Sequence, residues 1–119
     1  MKVLQKLNRF YVNDMDAALA FYEELLNQKC TVRFCYAEAG LELAQVADIL
    51  ILAGSDEALT PFCETKATFV VDAIAEFKDH LMNNGAVIIR DLKQVPTGVN
   101  MTVRHADGTI IEYVEMINR

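Results

Sequence analysis

The chain has 119 residues, 53% of them hydrophobic, and a formal net charge of −6. That length fits one domain able to bury roughly two thirds of its unfolded surface, and the apolar share excludes disorder. The acidic balance argues against nucleic acid as a partner, because phosphate binding needs a basic face and Lys and Arg nowhere cluster.

The longest apolar run, Ile49 to Gly54, is far short of the ~20 residues a membrane helix requires. The start, Met1-Lys2-Val3-Leu4-Gln5-Lys6, breaks its apolar residues with polar ones and offers no secretory h-region, so a cytoplasmic protein with no membrane partner is expected. Cys30, Cys35 and Cys63 are odd in number, with no CxxC and no zinc spacing. Cys30 and Cys35 are expected on one strand and opposite faces, and all three as buried reduced thiols.

Residues 3–12 alternate loosely and carry Phe10, Tyr11 and Val12, which predicts a strand. Asn13-Asp14 then caps a helix whose apolar positions are Ala17, Ala18, Leu19, Phe21, Tyr22, Leu25 and Leu26, ending near Asn27. Strands follow at Cys30–Tyr36, Leu41–Val46 and Ile49–Ala53, with Ala39-Gly40 and Ala47-Asp48 as turns. Residues 55–64 hold Ser, Asp and Pro and read as a linker. Beyond it the order repeats. Lys66–Val71 is a strand, Asp72 caps a helix through Ile74, Phe77, Leu81 and Met82, and Asn83-Asn84-Gly85 stops it. Val87–Arg90, Met101–Arg104 and Thr109–Met116 complete the second set of strands. The element order is therefore β-α-β-β-β twice, module one in 1–54 and module two in 65–119 of a single domain.

Two stretches carry a resemblance. Val12-Asn13-Asp14-Met15-Asp16-Ala17-Ala18-Leu19-Ala20-Phe21-Tyr22-Glu23 resembles the opening of the vicinal oxygen chelate superfamily, which includes glyoxalase I, bleomycin-resistance proteins and extradiol dioxygenases. Ala106-Asp107-Gly108-Thr109-Ile110-Ile111-Glu112 resembles its closing strand. The likeness implies an α+β fold in which two βαβββ modules form a curled mixed sheet, a cup with helices on its convex face. It also implies a homodimer.

Alternation sorts the faces. Ala67, Phe69 and Val71 face a helix, and Lys66, Thr68 and Val70 face the cup. Phe10 and Val12 face a helix, while Leu7, Arg9 and Tyr11 face the cup; Asn8 fits its helix face poorly. In the last strand Ile111 and Tyr113 pack outward, and Ile110, Glu112 and Val114 look inward. Metal-using relatives place a His or similar ligand on the first strand of each module and an acid on the last. Those positions fall here on Leu7, Lys66, the apolar Ile49–Ala53 and Glu112, and neither His80 nor His105 stands at a matching place. Leu and Ile carry no donor atoms and an ammonium repels a divalent cation, so no metal and no cofactor is expected.

Leu7, Arg9, Tyr11, Lys66, Thr68 and Glu112 are thus the candidate ligand-binding residues, and a small organic molecule the expected partner. Metal-independent binding is the leading reading. The alternative is a lyase, isomerase or dioxygenase-type enzyme of the same superfamily, with Glu112 as general base or metal ligand and Arg9 or Lys66 stabilising an oxyanion. A third is an interaction module whose cup its own side chains fill. In the plainest reading of the residues, Glu112 pairs with Lys66 or Arg9 and His105 is a solvated turn residue.

Overall fold

A computed structural model describes residues 1–117. The chain divides into two compact units, Asn8–Glu64 and Met1–Leu7 with Thr65–Arg119. Eight strands of a mixed sheet and the helices beside them make an α+β fold, as expected. The first strand, β1 (Val3–Val12), contributes its opening residues to one unit and its remainder to the other.

In the unit Asn8–Glu64, β1 is followed by α1 (Met15–Leu26), β2 (Val32–Tyr36), β3 (Leu41–Val46) and β4 (Ile49–Ala53). The strand order is β2-β3-β4-β1, with β1 parallel to β4 and the other pairs antiparallel. The helix starts where expected, because the Asp14 carboxylate accepts from Ala17 N at 3.1 Å and satisfies an amide the first turn leaves open. It stops at Asn27, which takes the left-handed conformation that short polar side chains tolerate. Met15 and Leu19 pack onto Ala44, Val46, Ile49, Ile51 and Ala53, with Phe10, Val12 and Tyr22 around them. Phe21 and Leu25, expected to be apolar contacts, are instead exposed. They lie on the flank of a helix whose buried stripe is narrower than its apolar sequence. The expected linker contains a helical turn, α2 (Asp56–Leu59), capped by Ser55.

The cysteines need correction. Cys30 precedes β2, and its thiol donates to the Val32 carbonyl. Cys35 and Cys63 are exposed, because one lies on the terminal strand of its sheet segment and the other in the segment after α2. None of the three forms a disulfide.

The other unit holds β5 (Thr65–Val71), α3 (Ile74–Asn83), β6 (Val87–Val95), β7 (Gly98–Arg104) and β8 (Ile110–Met116), in the order β5-β8-β7-β6. The pattern is that of the first unit: β5 runs parallel to β8, and β7 is antiparallel to both neighbours. Ile74 and Phe77 of α3 bury against Val71, Met101, Val103, Ile111 and Tyr113. Strands β6 and β7 run longer than expected and meet at the turn before Gly98.

Asp72 does not cap α3. Its carboxylate accepts from Lys2 N at 2.7 Å, and the residue at the cap position, Ala73, has no side-chain acceptor. The acceptor comes from 41 positions away: Glu115 Oε1 on β8 receives Ile74 N at 2.9 Å. A carboxylate here satisfies an open amide and sits at the positive end of the helix dipole. Glu115→Ala should therefore cost about 1 kcal/mol of stability, while Glu115→Gln keeps part of it, as read from urea midpoints. Equal midpoints for the two variants would refute the cap.

Candidate functional site

Each unit presents one sheet face to its long helix and turns the other away. In the unit built on β5–β8, the helix-facing residues are Ala67, Phe69, Met101, Val103, Ile111 and Tyr113. Strand alternation therefore turns Thr68, Val70, Ile110, Glu112, Val114, Thr102 and Asn100 to the opposite face. The strand register aligns them: Glu112 lies opposite Thr68 on one side and Thr102 on the other, and Thr102 lies opposite Arg90. One polar residue from each of four strands thus forms a row across the sheet.

The row is bonded in two places. Thr68, only 3% exposed, donates its hydroxyl to Glu112 Oε1 at 3.1 Å. Arg90 donates from Nη2 to Asn100 Oδ1 at 2.6 Å, and from Nη1 to the carbonyls of Asn100 and Asp91 at 3.4 and 3.2 Å. The Thr102 hydroxyl, between them, makes no hydrogen bond among the described residues. Arg90 reaches this face through a β-bulge. Ile88 pairs with Val103 on the helix side, and strict alternation would put Arg90 there too. The register shifts between Ile88 and Arg90, which re-aims the arginine.

The six residues expected to line a site fall as follows. Thr68 and Glu112 meet. Lys66 is exposed and makes no ion pair among the described residues. Leu7 is buried at 2% exposure and carries no donor. Arg9 and Tyr11 belong to the other unit, on the face turned away from α1. The Arg9 guanidinium carbon lies 5.5 Å from the Tyr11 ring centre, and the Tyr11 hydroxyl donates to Phe62 O at 2.6 Å, holding the segment after α2. Their β4 partners are Leu50 and Leu52, both buried. Arg90, Asn100 and Thr102 were missed by counting only from first and last strands. The alternation Asn100-Met101-Thr102-Val103-Arg104 was a readable signal for the latter two.

His105 is not a solvated turn residue. It is partly buried, and its Nε2 stands 2.6 Å from the Tyr113 hydroxyl. Burial against Phe69 and Phe77 pushes the Tyr113 phenol up from 10.0 to about 12. A raised folded value favours the protonated form in the folded state. Its contribution is fully present below pH 10 and is lost as pH rises through about 12. Urea midpoints should fall across that window, and Tyr113→Phe should flatten the fall while lowering stability at neutral pH. An unchanged alkaline limb in that variant would refute the assignment. The turn that follows is set by Asp107, whose carboxylate lies below its usual range because Thr109 N donates to it at 2.9 Å. An open depression of about 490 Å3 at the end of α1, lined by Glu23, Glu24, Asn27 and Lys29 among others, shares no residue with either face.

The donor set does not fit a metal of the kind the resemblance would imply. Glu112 is an oxygen donor, but Leu7, Leu50 and Leu52 offer none and Lys66 carries a positive charge. Among the described residues, no group of three or more His, Cys, Asp and Glu is placed to hold an ion. Nor does any helix have the length and apolarity to cross a membrane.

This architecture is the glyoxalase-like, vicinal oxygen chelate fold. Methylmalonyl-CoA epimerase from Mycobacterium tuberculosis matches it with a TM-score of 0.77 at 17% identity, over 96% of this chain and 89% of that one. Streptomyces coelicolor methylmalonyl-CoA epimerase in complex with 2-nitronate-propionyl-CoA matches with a TM-score of 0.74 at 14% identity, over 98% and 97%. Those two likenesses are of fold. An uncharacterized protein from Methanosarcina mazei shares 52% identity over 100% of this chain and 97% of its own, with a TM-score of 0.89, and this chain belongs to the same family. No protein-family model matches the sequence, and no functionally curated protein does.

Proposed function

We propose that this protein binds a small organic molecule, without a metal, on the face of β5, β8, β7 and β6 turned away from α3. The observation that carries the reading is the polar row Thr68, Glu112, Thr102 and Arg90 on a sheet whose other face is apolar. A half-buried carboxylate and guanidinium are costly to place where they only fill space. As binding groups, the same residues offer an acceptor, two hydroxyls and a cation on a rigid four-strand platform.

A second reading is an isomerase in which Glu112 takes a proton from the bound molecule. The fold likeness to methylmalonyl-CoA epimerase supports it, as does a Thr68 bond that orients the carboxylate. Acyl-CoA thioesters are for that reason the first ligands to try.

A thermal-shift screen with acyl-CoA thioesters, hydroxy acids and antibiotics tests both readings. A binder at a hundred times its Kd should stabilise the protein by about 2.7 kcal/mol. The shift should shrink at least tenfold in apparent affinity for Glu112→Gln and for Thr68→Val. A binder whose affinity neither variant changes would place the site elsewhere. Turnover lost in Glu112→Gln with binding retained would select the isomerase.

A further inference from the structure

We infer that the ligand of this site carries a singly charged carboxylate, received by Arg90, and a hydroxyl or similar donor group received by Glu112. The inference rests on the reading of this face as a binding site and names the chemistry it takes.

The coordination of Arg90 is unfinished. A guanidinium has five N–H donors in a planar fork. Its bonds run from Nη1, to the carbonyls of Asp91 and Asn100, and from Nη2, to Asn100 Oδ1. Nε–H makes no bond among the described residues, and it shares one edge of the fork with Nη2. That edge matches the two oxygens of a carboxylate. All three existing acceptors are neutral, so they orient the fork without cancelling its charge. The nearest acid in sequence does not cancel it either. Asp91 turns its carboxylate to Lys78 of α3, at 2.7 Å on the other side of the sheet. Among the described residues Arg90 has no carboxylate partner, although it is half-buried.

The placement is specific. Two register shifts flank Arg90 in β6, and the first turns it from the helix side to the face of Glu112. Asn100 then holds it against that face with two bonds. A bulge and a bonded clamp spent on one arginine are what a fixed anion anchor needs. The other end of the row supplies the complementary group. Glu112 accepts from Thr68, and a carboxylate has lone pairs enough to accept from a ligand donor as well; the unbonded Thr102 hydroxyl lies between. Arg90 and Glu112 are two strands apart, about 10 Å between backbones. The ligand therefore bears its anion and its donor a few bonds apart. A single charge is favoured over a phosphate dianion, because one guanidinium balances one charge.

The test uses the full-length protein and a homologous series of ω-hydroxy acids, from 3-hydroxypropanoate to 6-hydroxyhexanoate. Each is compared with its primary amide and with inorganic phosphate. Side-chain NMR follows Arg90 Nε–H and the Glu112 carboxyl carbon during titration. At least one acid should shift both signals, with at least tenfold higher affinity than its amide. Arg90→Gln should abolish that preference, and Arg90→Lys should retain only part of it. Asn100→Ala, which leaves the cation but frees the fork, should weaken the acid more than the amide. The inference falls if no acid moves both signals, if acid and amide bind alike, or if phosphate binds more tightly than every acid. If an amide binds as well as its acid and still loses affinity in Glu112→Gln, the carboxylate assignment fails while the site itself stands.

Discussion

Gly98→Ala should lower stability by at least about 3 kcal/mol, and roughly 10 °C in Tm, the largest effect expected of any single methyl group added to this chain. A Cβ built at Gly98 would stand 2.0 Å from the Glu115 carbonyl oxygen and 3.0 Å from its carbon. Backbone cannot swing aside as a side chain does. The glycine opens β7 opposite Met116, with φ +152, a conformation L side chains rarely adopt. Relief would require β8 to move at Glu115, the residue that caps α3, so the damage would spread into the helix. Gly108→Ala is the control. It also has positive φ, +95, but nothing lies within 4 Å of the added carbon. Its cost should be about 1 kcal/mol, from backbone strain alone. Equal losses in the two variants, measured by urea unfolding, would show that conformation rather than the close approach governs Gly98.

Ile51→Ala should cost about 3–4 kcal/mol through the cavity it leaves. Ile51 is fully buried at the centre of β4, between Phe10 on one neighbouring strand and Ala44 on the other, beneath Met15 and Leu19. Ala44, Val46, Ile49 and Ala53, which share its face of the sheet, are small or β-branched and cannot reach into the space. The midpoint of urea unfolding should fall with little change in slope. A loss below about 1 kcal/mol would mean that α1 settles into the gap, and the close packing argued for this face would be wrong.

The two faces of each sheet segment were legible in the chain. A strand alternates with period two whatever surrounds it, so Phe69 and Tyr113 had to oppose Thr68 and Glu112 once the strands were recognised. Asp14 and Asn27 bounded α1 for an equally local reason, since a cap acts on amides within one turn. That Thr68 and Glu112 share a face was readable from two such alternations; that they stand opposite one another and bond is set by the parallel register of β5 and β8.

What sequence could not supply came from groups distant along the chain. The cap of α3 is Glu115 and not the adjacent Asp72, because the strand that carries it passes the helix start only in the folded state. His105 meets Tyr113, only eight positions on, because the turn between β7 and β8 folds the chain back on itself. Arg90 is the sharpest case. Alternation from Ile88 assigns it to the helix side, and only the bulge, a property of how β6 pairs with β7, turns it toward Glu112. Local preference decides which residues can form a strand and which way each points while pairing is regular. Where pairing slips by one residue, the direction of a side chain belongs to the sheet, and here that slip supplies the cation of the site.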